Sequence, residues 1–281
     1  DVTRHPVREY LRSLIWDGEK RCETLFIDYL GAEDSRYTRT VTRKALIGAA
    51  ARILSPGCKH DHMLVLIGPQ GCRKSTTLKK LGKEWFSDSL YTMSGKDAYE
   101  QLQGFWIIEL SEMAATRKAE VEQIKQFVSK QEDNYRAAYA RRTQCHPRQC
   151  AFFGTTNDEE FLRDPTGARR FWPVVVTDAG KTLGDKLTAS IVDQIWAEAV
   201  TYYEAGETWY LDGAVEEMAR KVQADHTEAN GKLGLIENFL EVLLPEGWDD
   251  WDLEKRLMFW SGGFGEERNG TVPRTKVCAL E

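Results

Sequence analysis

One segment restricts this 281-residue chain more than any other: MLVLIGPQGCRKSTTLKKLGKEW, from Met63 to Trp85. Its five leading apolar residues read as a strand covered on both faces, which is the habit of a parallel sheet. A glycine-containing turn follows, and KSTTLKKLGKEW reads as the helix after it. The same alternation continues downstream, with strands expected at FWIIEL, CAFFGTTN and RRFWPVVV, a short strand at SLYTM, and a helix in TRKAEVEQIKQFVSKQ. The expected fold is therefore α/β, a parallel sheet core with helices on both faces, over residues 58–178. Helical spacing in RCETLFIDYLG and RKALIGAAARIL predicts a helical N-terminal region, 1–57, closed by Pro56 and Gly57. IVDQIWAEAVTYYEAGE, LDGAVEEMARKVQADHTEAN and LIENFLEVLL predict a helical C-terminal region, 179–281, with a winged-helix-like end as one option.

The turn itself is nearly a phosphate-binding loop. Gly68, Pro69, Gln70, Gly71, Cys72, Arg73, Lys74, Ser75 and Thr76 follow the G-x-x-x-x-G-K-[ST] pattern except at Arg73, where the last glycine belongs. Such a loop converges backbone N–H groups on anionic oxygens at the positive end of the next helix. Lys74 is placed for β- and γ-phosphates and Ser75 for Mg²⁺. The alternative is a polar strand-to-helix turn, because Arg73 brings a Cβ to a crowded backbone position.

Three further elements follow in order. The strand of WIIELSEM ends in Glu109, with Glu112 beyond it, two carboxylates able to divide metal binding and water activation. FFGTTN ends in Asn157, suited to holding an attacking water or to capping the next helix. Arg169 and Arg170 precede the last strand and can reach a phosphate, in their own subunit or in a neighbour's, or be a solvated basic pair. Loop, acidic strand, asparagine strand and arginine pair come in the order used by oligomeric ring ATPases.

Between the acidic and asparagine strands, basic residues interleave with aromatics: Tyr135, Arg136, Tyr139, Arg141, Arg142, His146 and Arg148. That mixture suits a single nucleic-acid strand, with charge on phosphates and rings on bases. YRAAYARR and RQCAFFG are expected to be two arms of a hairpin; a solvated basic edge is the alternative. The net charge of −6 argues against a general basic coat but leaves room for a local one. No apolar run approaches the roughly 20 residues of a membrane span, and no leader is visible, so a cytoplasmic protein is expected. Cys22, Cys58, Cys72, Cys145, Cys150 and Cys278 are scattered, which predicts free thiols. Cys58, His60, Asp61 and His62 are all metal-capable, but no partner pair follows at zinc-site spacing, so a polar lead-in to the first strand is the preferred reading.

Taken together, HPVREYLRSLIWDG, FIDYLGAEDSRYTRTVTRKALIGAAARI, PGCKHDHMLVLIGPQG, YEQLQGFWIIELSEM, RKAEVEQIKQF, YRAAYARR, GTTNDEEFLRDPTGARRFWPV and IWAEAVTYYEAGE resemble the virulence-associated E family of phage, prophage and genomic-island proteins. That family is similar to superfamily 3 helicases, which are ring-forming AAA+ ATPases. The resemblance implies an ATP- and Mg²⁺-dependent helicase in mobile-element replication within a bacterial host, acting on single-stranded or forked DNA as a homo-oligomeric, hexameric ring, alongside a primase or other replication protein. It implies Gly68, Gly71, Lys74 and Ser75 as Walker A, Glu109 and Glu112 as Walker B, Asn157 as sensor 1, Arg169 or Arg170 as the finger, and a pore-lining hairpin before sensor 1. A loader or remodelling module that binds DNA without unwinding it is the alternative function.

Overall fold

The computed structural model describes residues 4–111, 118–135, 142–159, 161–162, 168–227 and 244–260. Contacts divide the chain into two units, Asp1–Glu228 and Ala229–Glu281. The first unit carries the sheet.

Three helices precede the sheet. Helix α1 (Pro6–Ser13) starts with proline, whose missing N–H costs nothing there, and the His5 ring accepts from the Arg8 N–H at 3.2 Å. Helix α2 (Leu25–Leu30) stops at Gly31, whose φ of 67° suits a residue without a Cβ. Helix α3 (Arg36–Leu54) is capped by the Ser35 hydroxyl, which accepts from the Thr38 N–H at 3.1 Å. Gly48, Ala49, Ala50 and Ala51 on α3 are buried and small, so other groups approach its backbone closely. The indole N–H of Trp106 reaches the Ala49 carbonyl at 2.8 Å.

Strand β1 (Met63–Ile67) leads into helix α4 (Lys74–Gly82), strand β2 (Phe86–Ser87), helix α5 (Gly95–Glu100), strand β3 (Ile107–Leu110) and helix α6 (Lys118–Val128). An antiparallel hairpin of β4 (Glu132–Tyr135) and β5 (Gln144–Pro147) comes next, then strand β6 (Ala151–Thr156) and strand β7 (Phe171–Val175). Helices α7 (Gly180–Leu183), α8 (Ala189–Glu204) and α9 (Gly213–Asp225) complete the described part of the unit. The sheet runs β2-β3-β6-β1-β7 and every adjacent pair is parallel. The expected parallel α/β sheet is present.

Alternation along β1 sorts the core into two layers. Leu64 and Leu66 face one side with Phe153, Trp172 and Val174, under α1, α2, α3, α4 and α8. Met63, Val65 and Ile67 face the other with Ile108 and Phe152, under α5 and α6. Both faces of the strand being covered is why it reads as an unbroken apolar run. At roughly 1.5–3 kcal/mol for each large apolar side chain fully buried, these two layers are the main driving force of the fold. The buried Glu198 carboxylate on α8 accepts from the N–H groups of Arg21 and Cys22 at 2.6 and 2.8 Å, fixing the entry to α2.

Two expectations are corrected. SLYTM forms no strand: the edge strand is Phe86–Ser87, reached from α4 through a 3-10 turn at Lys83–Trp85, and it is two residues long. The second hairpin arm is Gln144–Pro147, not RQCAFFG, whose apolar part is the central strand β6. In the second unit, a turn at Trp248–Asp250 and a helix at Leu253–Trp260 enclose a ring cluster of Trp248, Trp251 and Phe259, with centroids 5.3–6.3 Å apart. LIENFLEVLL and the expected winged-helix-like end lie largely outside the described residues. Among the described residues, no helix is long and apolar enough to cross a membrane.

Candidate functional site

The C-terminal ends of β1, β3 and β6 lie along one edge of the sheet, where ligands of open α/β folds collect. A cleft of about 600 Å³ opens there, walled by the loop from Gln70 to Thr76, by Thr155 to Asn157, and by Lys181. Gly68 is forced by proximity, since a Cβ would stand 2.4 Å from the Val176 carbonyl oxygen. Gly71 has φ of 82°, and Arg73 has φ of 72° and ψ of 19°. Arg73 thus takes the left-handed backbone that its glycine counterpart would adopt freely. Its guanidinium pairs with the Asp185 carboxylate at 3.0 Å.

Lys74 opens α4 and is buried. Its ammonium donates to the Gly68 and Pro69 carbonyls at 2.6 and 2.9 Å and to Asn157 Oδ1 at 2.9 Å. The Ser75 hydroxyl donates to Glu109 Oε1 at 2.6 Å, and Thr155 Oγ1 donates to the same oxygen at 2.6 Å. Four of the expected residues, Lys74, Ser75, Glu109 and Asn157, therefore converge from three separate elements. Glu109 is 1% exposed, and its other oxygen, Oε2, has no partner among the described residues. A buried carboxylate oxygen left unpaired is costly, and one beside a hydroxyl is a hard oxygen donor set of the kind Mg²⁺ takes. The residues fit that ion.

Other expected residues fall elsewhere. Glu112 lies outside the described residues, as do Arg136, Tyr139 and Arg141. Arg169 and Arg170 sit immediately before β7, at the opposite edge of the sheet from the cleft. A five-residue strand is about 17 Å long, so neither arginine serves the cleft of its own chain, contrary to one of the two options open from sequence. Arg170 Nε donates to Ser129 Oγ at 2.8 Å, whereas Arg169 is exposed and bonds no other described residue.

On the hairpin, Arg142 is exposed and His146 stacks on Tyr135, with centroids 4.3 Å apart. Arg148 is not a surface cation. It is 2% exposed, its Nε donates to Asp133 Oδ2 at 3.0 Å, and its remaining nitrogens engage Asp133 Oδ1 and the Phe127 carbonyl. A guanidinium so paired is unavailable to a phosphate, and its expected role in nucleic-acid binding is withdrawn.

Cys58, His60, Asp61 and His62 do not gather, and no group of three His, Cys, Asp or Glu among the described residues could hold a metal. His60 is buried against Gly48, and burial, with the Arg52 charge, pushes its ring well below the ordinary histidine range. His62 stacks on Trp172 at 4.5 Å; burial lowers it too, assisted by Lys59, Arg169 and Arg170 and opposed by Asp61. Ser111, Thr155, Thr156 and Lys181 in the cleft wall, and Asp185 beside Arg73, were not foreseen. Thr155 and Thr156 fall in the FFGTTN run that ends in Asn157 and Ser111 in WIIELSEM, whereas Lys181 and Asp185 left no signal.

No curated protein matches the chain significantly. Among solved structures, the chain is similar to the apo C-terminal region of NrS-1, at 17% identity over 92% of this chain and 61% of that one, with a TM-score of 0.46. Two A-form apo structures of the same region give 13% and 14% identity, 90% and 92% of this chain, 64% and 61% of theirs, and TM-scores of 0.47 and 0.48. The chain thus spans about three fifths of each. The model of the virulence-associated protein E-like domain matches residues 11–228, and the chain belongs to that family.

Proposed function

We propose that the chain is an AAA+ ATPase of the superfamily 3 helicase type, moving along single-stranded DNA as a ring in the replication of a phage or mobile element. The observation that carries the reading is the convergence of Lys74, Ser75, Glu109 and Asn157 at one sheet edge, with the strand of Asn157 inserted between those of the phosphate loop and the acid. Ser75 and Glu109 would hold Mg²⁺, whose chemistry when bound is to neutralise charge on phosphate oxygens. Lys74, now satisfied by neutral acceptors, would exchange them for phosphate oxygens, a charge-assisted and stronger set. Asn157 would orient the attacking water and Glu112 would accept its proton. Because Arg169 cannot reach its own cleft, its use as a finger requires a neighbouring subunit, which is the argument for a ring.

Lys74→Ala is expected to abolish ATP hydrolysis in the purified protein. Wild-type turnover in that variant would remove the proposed site. A strand-displacement assay run in parallel separates the helicase from a loader: DNA-stimulated hydrolysis without strand separation would transfer the assignment to the loader.

A further inference from the structure

The segment after β7 folds against the phosphate loop and forms one wall of the cleft. Gly180, which opens α7, packs so closely that a Cβ would stand 2.4 Å from the Cys72 carbonyl oxygen. Lys80 on α4 donates to the carbonyls of Gly184 and Leu187 at 2.8 and 2.9 Å, and Arg73 pairs with Asp185. Helix α7 is therefore held to the loop at both of its ends. Lys181, next to Gly180, lines the cleft, with its Cε 4.0 Å from the point where a Cβ on Gly71 would lie.

The two lysines of the cleft differ in what holds them. Lys74 is buried and donates to two loop carbonyls, to Asn157 Oδ1 and, at 3.7 Å, to Cys72 Sγ. Lys181 is about half exposed, and its ion-pair partner, Asp178 at 2.9 Å, is more exposed still. Such a surface pair is weak and exchanges readily for a better anion. A polyphosphate in the cleft, already facing the N–H groups of the loop, would be that anion.

We propose that Lys181 is a nucleotide-contacting residue, which leaves Asp178 to pair with a phosphate oxygen of the nucleoside triphosphate bound in this cleft. The inference rests on the phosphate-loop reading above. It also ties the post-β7 segment to the occupancy of the loop, because α7 and the loop are already packed together.

The test is calorimetric titration of the intact chain with ATP and Mg²⁺ at low salt. Lys181→Ala should weaken binding about tenfold, as expected for loss of one charge-assisted hydrogen bond. Lys181→Glu should weaken it further, and Lys181→Arg should stay within about twofold of wild type. Asp178→Asn, which frees the ammonium, should cause no loss. Binding by Lys181→Ala within about twofold of wild type overturns the inference. So does equal loss in Lys181→Ala and Lys181→Arg, which would mark a packing role rather than a charge. If wild type fails to bind ATP, or Lys74→Ala binds as well as wild type, the phosphate-loop reading itself falls, an outcome distinct from either.

Discussion

Arg73 shows how one residue can meet a backbone demand made for another. Its φ of 72° is the conformation that disfavours any residue with a Cβ, by about 1–2 kcal/mol. The compensating contact is a half-exposed pair with Asp185, worth about 0–1 kcal/mol. Arg73→Gly and Arg73→Ala both lose that pair, but only glycine also escapes the steric cost. The glycine variant should therefore be the more stable of the two by about 1 kcal/mol in denaturant titration. Equal stability, or greater stability of the alanine variant, would mean that the left-handed assignment at Arg73 is wrong. Glycine should also leave ATP binding intact, because the loop N–H groups keep their directions.

At the scale of elements, β7 sets the distance between the arginine pair and the cleft. Arg169→Ala should leave ATP affinity unchanged and lower hydrolysis on the order of a thousandfold, the loss typical of a finger acting on a neighbour's site. Arg170, tied to Ser129, should matter less. Mixing Lys74→Ala subunits with Arg169→Ala subunits should restore hydrolysis above either alone, since some interfaces then hold one intact lysine and one intact arginine. No recovery on mixing would argue against shared sites. These elements were unequally legible beforehand. Strands β1, β3, β6 and β7 declared themselves because burial on both faces leaves runs such as MLVLI and AFFGTT. Strand β2 could not, because two residues carry no period. Arg148 reads as a surface cation because a guanidinium buried against an aspartate looks, in sequence, like any other basic residue beside a polar strand. Lys181 and Asp185 belong to no pattern; they join the site only because Gly180 lets the chain pack against the loop.

At the scale of the whole molecule, the end of the sheet opposite the cleft carries two histidines whose neutral forms the fold requires. Folding lowers the affinity of His60, and less strongly of His62, for protons, chiefly by burial. Above about pH 6.5 both folded and unfolded chains hold them neutral, so no penalty arises. As pH falls below that value the unfolded chain takes up protons that the folded chain refuses, and stability declines toward the folded pKa. The slope has an upper limit of about 1.4 kcal/mol per pH unit, which the fully buried His60 approaches more nearly than His62. Denaturant midpoints at pH 7.5 and 5.5 should show the decline, and His60→Asn should flatten it. A variant as acid-sensitive as wild type would acquit His60.

Strand β6 joins these two ends. It begins four residues after the hairpin, whose base is clamped by Arg148 to Asp133 and to the Phe127 carbonyl, and it finishes one residue before Asn157, which touches Lys74. Six extended residues flanked by β1 and β3 make a beam about 20 Å long with hydrogen bonds on both sides. Cleft and hairpin are consequently not neighbours that share a surface. They stand at opposite ends of one central strand, so the chain that leaves the Arg148 clamp is the same rigid segment that delivers Asn157 to Lys74.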